Sequence, residues 1–378
     1  MPSGQNKHTV NGLDPAQFLA QQWQREPLLL RAAVPGFVPP ISADELAGLA
    51  MEAEVESRIA ECQGSPGSAQ SWLLTHGPFS PSAFQRNHPW TLLIQGVDQL
   101  VDEVAELRKL ADFIPLWRLD DIMVSYATDG GSIGPHFDLY DVFLLQGEGE
   151  RTWRIGQRCD ASTPLLPHDD LKLLANFDCQ AEYTLRCGDV LYIPPGVAHW
   201  GISQGESTCF SIGFRAPRMA DLLSRLTDAR LEGLPNSLLL RDAGRDHAQH
   251  CGEITQADIT NARCQIEAQL AAVANDAWFG ELVTEASAEP LAAEQADQLC
   301  TQLRAGADAR LAPGARVAWQ ALDHGIIVFA NGASAACPNS LRDWLCRLCA
   351  DELVSWPGGT DAEPVLQFLL QQGALDVD

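Results

Sequence analysis

Basic side chains are scarce in this chain. Lysine and arginine number 25 against 50 aspartates and glutamates, giving a formal net charge of −25. Phosphate backbones are bound by lysine and arginine patches, so free nucleic acid is not an expected partner. An acidic surface steers cations, so a basic protein or peptide suits the charge. Plain solubility explains the same charge equally well. Long apolar runs are also missing: no stretch of 18 uninterrupted apolar residues occurs, so no transmembrane helix and no membrane partner is expected. The opening MPSGQNKHTVNG is polar and lacks the apolar core of a secretory signal.

A disulfide framework is missing too. The 11 cysteines are odd in number and scattered from Cys62 to Cys349, as in a reducing, cytoplasmic setting. Cys346 and Cys349 form one CxxC, but a zinc site usually needs a second pair. LRDWLCRLCA also reads as a helix, where residues three apart share a face. What is present is a globular composition, 46% hydrophobic and 20% charged, with length for two or three domains.

Residues 14–24 predict a helix capped by Asp14 with Pro15 in its first turn. PLLLRAAVPGF reads as a buried strand and turn, and 40–60 as a helix with Ser42 and Glu45 spaced as a capping box. From about residue 90, WTLLIQGV, DIMVSYA, YDVFLLQG, RTWRIG, AEYTLRCG, DVLYIPPG and CFSIGFRA are short β-type runs broken by Gly, Pro and Asp. That texture predicts a β-barrel or sandwich ending near Pro217. MADLLSRLTDARLEGL is helical, with Leu222, Leu223, Leu226 and Leu231 at helical spacing. A second helix is expected over 255–275, with Ile259, Cys264, Ile266, Leu270 and Val273 on one side. GELVTEASAEP (280–290) reads as a linker, and VAWQALDHGIIVFANG as a strand among short helices.

The chemistry centres on GPHFDLYDVFLLQGEGERTWRIG, residues 134–156. His136 and Asp138 are two apart, and on a strand such residues face the same side. His199 follows 61 residues after Asp138, in GDVLYIPPGVAHW. Two imidazoles and a carboxylate make a facial triad that leaves three positions open, as non-haem Fe(II) oxygenases require. Imidazole also suits zinc, copper and nickel, so ligand type alone does not fix the metal. A lone HxD or a lone histidine is weak; the three in order among short strands are much stronger.

Arg151 lies 15 residues after His136. If the chain turns back through GEGE, Arg151 opens the neighbouring strand and points into the barrel. Its guanidinium fork matches a carboxylate. Arg154, three residues on, faces outward. TCFSIGF offers Thr208 and Ser211 as hydroxyl donors to the same ligand, and Tyr140 and Asp141 can line the barrel mouth.

DPAQFLAQQWQREPLLLR, SYATDGGSIGPHFDLYDVFLLQGEGERTWRIG, GDVLYIPPGVAHWG and SIGFRAP together resemble the JmjC-type 2-oxoglutarate oxygenases. Within them the chain resembles the bacterial ribosomal oxygenases, which hydroxylate an arginine of a large-subunit ribosomal protein (the L-sixteen protein). The likeness covers the chain in outline and is strong over 90–217. It implies a double-stranded β-helix, the jelly-roll of cupin and JmjC folds, over residues 1–217. A helical dimerisation region would follow over 218–285, then an α+β winged-helix-like domain over 286–378, in a homodimer. It implies Fe(II) on His136, Asp138 and His199, 2-oxoglutarate on Arg151, and O2 as the other co-substrate. Asp129, seven residues before His136, would receive the substrate guanidinium. It is also a good turn residue before two glycines. Residues 251–378 hold 18 acidic against 6 basic side chains, so a winged helix there is not expected to read DNA.

Two alternatives remain at this point. A metal-dependent cupin enzyme would not need 2-oxoglutarate, which an inward Arg151 argues against. A non-catalytic acidic scaffold would not need an intact HxD…H.

Overall fold

The computed structural model describes residues 10–247, 250–272, 276–286 and 290–377. The chain divides into two compact units, Met1–Ala216 and Pro217–Asp378.

The first unit opens with α1 (Pro15–Gln21). Asp14 caps it, accepting the backbone N–H groups of Ala16 and Gln17 at 3.0 and 3.2 Å. Strand β1 (Leu28–Leu30) and helix α2 (Ala43–Leu49) follow. The Ser42–Glu45 capping box forms with both reciprocal bonds. The helix expected over 40–60 stops at Leu49, however, and residues from Ser57 enter β2 (Ser57–Cys62). That segment pairs on one side with β3 (Trp72–His76) and on the other with β4 (Trp90–Ile94). Two ladders satisfy its backbone, which local helical preference does not outweigh.

After the short helix α3 (Asp102–Ala105) come β5 (Leu119–Ala127), β6 (Asp141–Gln146), β7 (Glu150–Arg158), β8 (Ala181–Arg186), β9 (Val190–Ile193), β10 (Val197–Gln204) and β11 (Ser207–Phe214). An eight-stranded sheet has the order β1-β9-β6-β11-β5-β4-β2-β3, and a three-stranded sheet the order β10-β7-β8. All pairs are antiparallel, the jelly-roll arrangement expected. β7 does not return beside β6 as anticipated; it crosses to the second sheet. β10, which carries His199, was not among the strands anticipated.

Strand β6 is buried along its whole length, and alternation sends its residues to two cores. Val142 and Leu144 pack with Trp153, Ile155, Leu185 and Leu191. Phe143 and Leu145 pack with Phe18, Leu46, Tyr192 and Phe210. The aromatic set is tight: Phe18 meets Tyr192 edge-on, with ring centroids 4.8 Å apart.

Asp141 was placed at the barrel mouth and lies elsewhere. It is fully buried on the side away from Tyr140. It accepts the Tyr192 hydroxyl at 2.6 Å, the Gln24 amide at 3.1 Å and an Arg118 N–H at 3.3 Å. Alternation accounts for this: Asp138, Tyr140, Val142 and Leu144 line one side, and Asp141, an odd step from each, faces the other. Asp141→Ala is expected to cost about 3–5 kcal/mol, because it strands a buried guanidinium. A urea midpoint that does not move would contradict this.

The second unit contains α4 (Met219–Glu232), α5 (Gln256–Ala271), α6 (Ala277–Val283), α7 (Ala293–Arg304), β12 (Asp308–Leu311), β13 (Val317–Leu322), β14 (Gly325–Ala330), β15 (Ala333–Cys337), α8 (Arg342–Cys349), β16 (Val354–Ser355), α9 (Glu363–Gln371) and β17 (Leu375–Val377). Two small sheets form, β16-β12-β17 and β13-β14-β15. The presumed linker at 280–290 is instead helix α6 through Val283, with Gly280 pressed under the Phe329 ring. The presumed single strand is a hairpin whose Leu322 pairs with Gly325. Helices α4 and α5 have no buried residue. Leu223, Leu231, Ile259 and Ile266 are exposed, while Val273 lies outside the described residues. Cys346 and Cys349 are free thiols on α8. Among the described residues no helix is long and apolar enough to cross a membrane.

Candidate active site

His136 and Asp138 lie just ahead of β6 in an extended segment, not in a regular strand. A bridge still pairs His136 with His199 of β10. The His136 N–H donates to the His199 carbonyl at 3.1 Å, and the His199 N–H to the His136 carbonyl at 2.8 Å. The Gly196 N–H donates to the Asp138 carbonyl at 2.7 Å. Two backbone bonds to β10 and one to the turn that leads into it therefore fasten the HxD segment and bring the three side chains together.

One ligand atom from each of His136, Asp138 and His199 lies within 4.8 Å of the other two. Among the described residues they form the one such cluster of metal-ligating types. The Asp138 carboxylate is 3.9 Å from His136 Nε2 and 3.5 Å from His199 Nε2. On each imidazole Nδ1 faces a carbonyl: Gly134 at 2.9 Å for His136 and Val197 at 3.0 Å for His199. A carbonyl only accepts, so each Nδ1 carries the proton and each Nε2 presents a lone pair inward. Burial and the neighbouring His136 push the His199 imidazole down to about 4, against the pull of Asp138. It is therefore neutral near pH 7, the form that binds metals. The donor set and its protonation fit a divalent cation with coordination positions to spare.

The triad opens into a cavity of about 290 Å³, lined by Met123, Leu144, Trp153 and Ser211 among others. Asp170–Leu173, from the long connection between β7 and β8, form part of its wall. The Leu174 N–H donates to the Pro135 carbonyl at 2.8 Å, which ties that connection to the HxD segment. Tyr140 lines the cavity beside Asp138, and burial together with that carboxylate raises the pKa of its hydroxyl.

Arg151 points inward from β7 and is buried, 5% exposed. Its guanidinium donates to Ser125 Oγ at 2.9 Å, to Ser207 Oγ at 3.1 and 3.2 Å, and to the Ser207 carbonyl at 3.3 Å. All these acceptors are neutral, and among the described residues Arg151 has no acidic partner. Burial lowers its pKa from the usual arginine value. A buried charge without a counter-ion is costly, so the site is built for an anion. Strand register places this layer next to the cavity. Ser211 is the cross-strand partner of Met123, and Cys209 of Ser125, one inward position further.

Of the two hydroxyls expected on β11, only Ser211 lines the cavity. Thr208 sits an odd number of residues away, faces the other side, and accepts the Glu148 N–H at 2.8 Å. Arg154 does face outward, paired with Glu182 at 2.7 Å and stacked on Trp200. Asp129 is exposed on the turn after β5 and accepts the Gly205 N–H at 2.8 Å. It is not among the residues lining the cavity. Ser125, Ser207 and Trp153 were not singled out from sequence. Their signal was parity: Ser207 is four residues from Ser211, and Trp153 two from Arg151.

Gly134 supplies the His136 anchor and has a left-handed backbone, φ +82°. A Cβ there would sit 2.5 Å from Leu173 Cδ2 and 2.8 Å from Trp72 Cζ2. Gly134→Ala is expected to cost about 1–3 kcal/mol of stability. Metal affinity should fall roughly tenfold through the displaced anchor. A urea titration and a metal titration check the two effects, and an unchanged pair of values would contradict them.

Comparison with known proteins agrees with this geometry. The JmjC domain family matches residues 106–222. The ribosomal protein uL16 3-hydroxylase of Escherichia coli (strain K12) is 34% identical over 331 residues, 85% of this chain and 85% of that protein. A probable ribosomal oxygenase of Haemophilus influenzae is 35% identical over 217 residues, 57% of this chain and 53% of its own. The solved structure of the Escherichia coli ribosomal oxygenase YcfD with cobalt and 2-oxoglutarate has a TM-score of 0.80 at 29% identity, covering 98% of this chain and 100% of that one. Its complex with cobalt and succinic acid has a TM-score of 0.81.

A jelly-roll with a JmjC match and an open His-Asp-His cluster defines a JmjC-type dioxygenase that depends on Fe(II) and 2-oxoglutarate. More narrowly, the likeness along the whole chain shows that it belongs to the ribosomal oxygenase family of protein hydroxylases.

Proposed function

We propose that this chain hydroxylates an arginine side chain of a large-subunit ribosomal protein of the uL16 type, in the cytoplasm. The observation that carries the reading is one cavity with an open triad and, beside it, a buried guanidinium that has only neutral partners. His136, Asp138 and His199 would hold Fe(II), each histidine through Nε2. Arg151 would bind the far carboxylate of 2-oxoglutarate, with Ser211 adding a hydroxyl on the same face. Iron held there supplies the redox chemistry by which O2 and 2-oxoglutarate become succinate, carbon dioxide and one hydroxyl on the substrate.

The protein's own residues position and shield. Tyr140, beside Asp138 on the cavity wall, would meet the substrate with its exposed edge. Met123, Leu144 and Trp153 give the cavity an apolar wall. Asp129 keeps one carboxylate oxygen without a partner among the described residues, which can accept an N–H of the substrate guanidinium. The net charge of −25 draws basic ribosomal protein toward the site.

The same reading assigns residues 218–285 to homodimerisation. The exposed apolar side chains of α4 and α5 support it, since contiguous apolar patches mark protein interfaces. It assigns 286–378 to a winged-helix-like domain that contacts protein, not DNA.

The test is mass spectrometry of large-subunit ribosomal proteins incubated with the enzyme, Fe(II), 2-oxoglutarate and air. One protein should gain the mass of one oxygen atom on one arginine. Succinate production with no mass change on any ribosomal protein would defeat the substrate assignment.

A further inference from the structure

The triad cavity holds an arginine that the site so far leaves unused. On β2, Ser57 and Ile59 are buried on one side of the strand, while Arg58 and Ala60 line the cavity on the other. Ladders on both sides fix the backbone there: Arg58 stands opposite His76 of β3 and Leu93 of β4. The side chain is partly buried, and among the described residues it makes no hydrogen bond and no ion pair. Two other partly buried arginines of the first unit are matched. Arg86 holds Glu61 at 2.6 Å and Arg118 holds Asp141 at 3.3 Å. A cation withdrawn from water without a partner is costly. A fixed strand that presents one to a cavity therefore points to an acceptor that arrives with a ligand.

The chemistry of what enters the cavity selects that acceptor. The keto acid has its far carboxylate on Arg151 and its near end at the triad. In the sheet, β11, β5 and β4 lie between β6, which continues from the HxD segment, and β2. Arg58 thus reaches the cavity from a different wall than the triad. Its charge acts on the Tyr140 hydroxyl, so it lies within electrostatic reach of the residue that would meet the substrate. A guanidinium only donates, so Arg58 does not hold a cationic substrate side chain. A chain of net charge −25 does not select acidic ones. Every protein substrate, however, brings main-chain carbonyl oxygens on both sides of the residue that is modified. We propose that Arg58 is a substrate-binding residue, donating to main-chain carbonyl oxygens of the protein substrate beside the modified residue. This rests on the readings of Arg151 and of the uL16-type substrate given above.

Arg58→Met keeps the stem and deletes the donors. The KM for the uL16-type protein should rise roughly ten- to a hundredfold, the range for hydrogen bonds from a charged donor, with kcat close to the wild-type value. Calorimetric titration of 2-oxoglutarate into the Mn(II)-loaded variant should match the wild type, and its melting temperature should not fall. Arg151→Met is measured alongside. An unchanged KM for the protein overturns the proposal and leaves the Arg151 reading standing. Weaker 2-oxoglutarate binding in Arg58→Met makes Arg58 a co-substrate ligand and also overturns it. If Arg151→Met then binds the keto acid as tightly as the wild type, the Arg151 reading falls too. A wild type that leaves the uL16-type protein unoxidised defeats the substrate assignment, and the proposal with it.

Should Arg58→Met not fold, the wild type answers by chemical labelling. Phenylglyoxal modifies accessible arginines, and peptide mass spectrometry reads Arg58 alone. The uL16-type protein should shield Arg58, and 2-oxoglutarate by itself should not. Equal labelling with and without the protein overturns the proposal.

Discussion

His136→Ala and His199→Ala should each abolish coupled turnover of 2-oxoglutarate. The loss should be roughly a thousandfold or more, because a metal ligand contributes several kcal/mol and each 1.4 kcal/mol is a factor of ten. The structure separates this from misfolding. His136 Nδ1 bonds only to a local carbonyl, and its side chain is partly exposed at the cavity, so alanine there leaves both cores intact. The metal-free variant should melt within a few degrees of the metal-free wild type. What disappears is the stabilisation by added metal, about 2.7 kcal/mol for the wild type at a hundredfold excess over Kd. Calorimetric melting with and without Mn(II) reads this directly. A variant that still gains stability from metal and still makes succinate would remove His136 from the site.

The second large effect is at Arg151. Replacement by methionine deletes the buried cation and should raise the KM for 2-oxoglutarate by 30-fold to a few thousandfold, equivalent to about 2–5 kcal/mol. Stability should move the other way or stay level. The guanidinium has no acidic partner among the described residues, and apolar replacement of a buried charge is often neutral or stabilising. Ser207 would retain its 2.6 Å bond to Ser203, and Ser125 its contact with the Cys209 carbonyl. A charge kept at a cost to folding is one kept for a ligand. If the variant unfolds in less urea while its KM is unchanged, Arg151 is a structural ion and the co-substrate reading fails.

Much of the site could be read from the sequence because its logic is local. His136 and Asp138 are two residues apart, Arg151 is on an inward position of a β-run, and His199 follows a PPG turn. The structure brings the first two and His199 within 4.8 Å and leaves Arg151 buried among neutral acceptors. What failed was a parity count not carried through. Asp141 follows Asp138 by three residues, an odd step that turns it away from the cavity lined by Asp138, Tyr140, Val142 and Leu144, so it joins Arg118 and Tyr192 instead. Thr208 and Ser211 could not both face inward, and counting residues along β11 alone would have shown it.

The misread elements were those whose identity comes from distant partners. Residues 50–60 have a helical composition, yet β3 and β4 claim Ser57–Cys62 for the sheet. β10 mixes polar and apolar residues around Gly201, and only its ladder with β7 makes it a strand. The serines around Arg151 come from β5 and β11, 26 and 56 residues away, a convergence that no local pattern announces.

Diffraction from crystals grown with Mn(II) and 2-oxoglutarate under anaerobic conditions tests the account most directly. Anomalous scattering should show one ion bonded to His136 Nε2, Asp138 Oδ2 and His199 Nε2, with the far carboxylate of the keto acid on the Arg151 guanidinium. An ion bound elsewhere, or a keto acid turned away from Arg151, would contradict it.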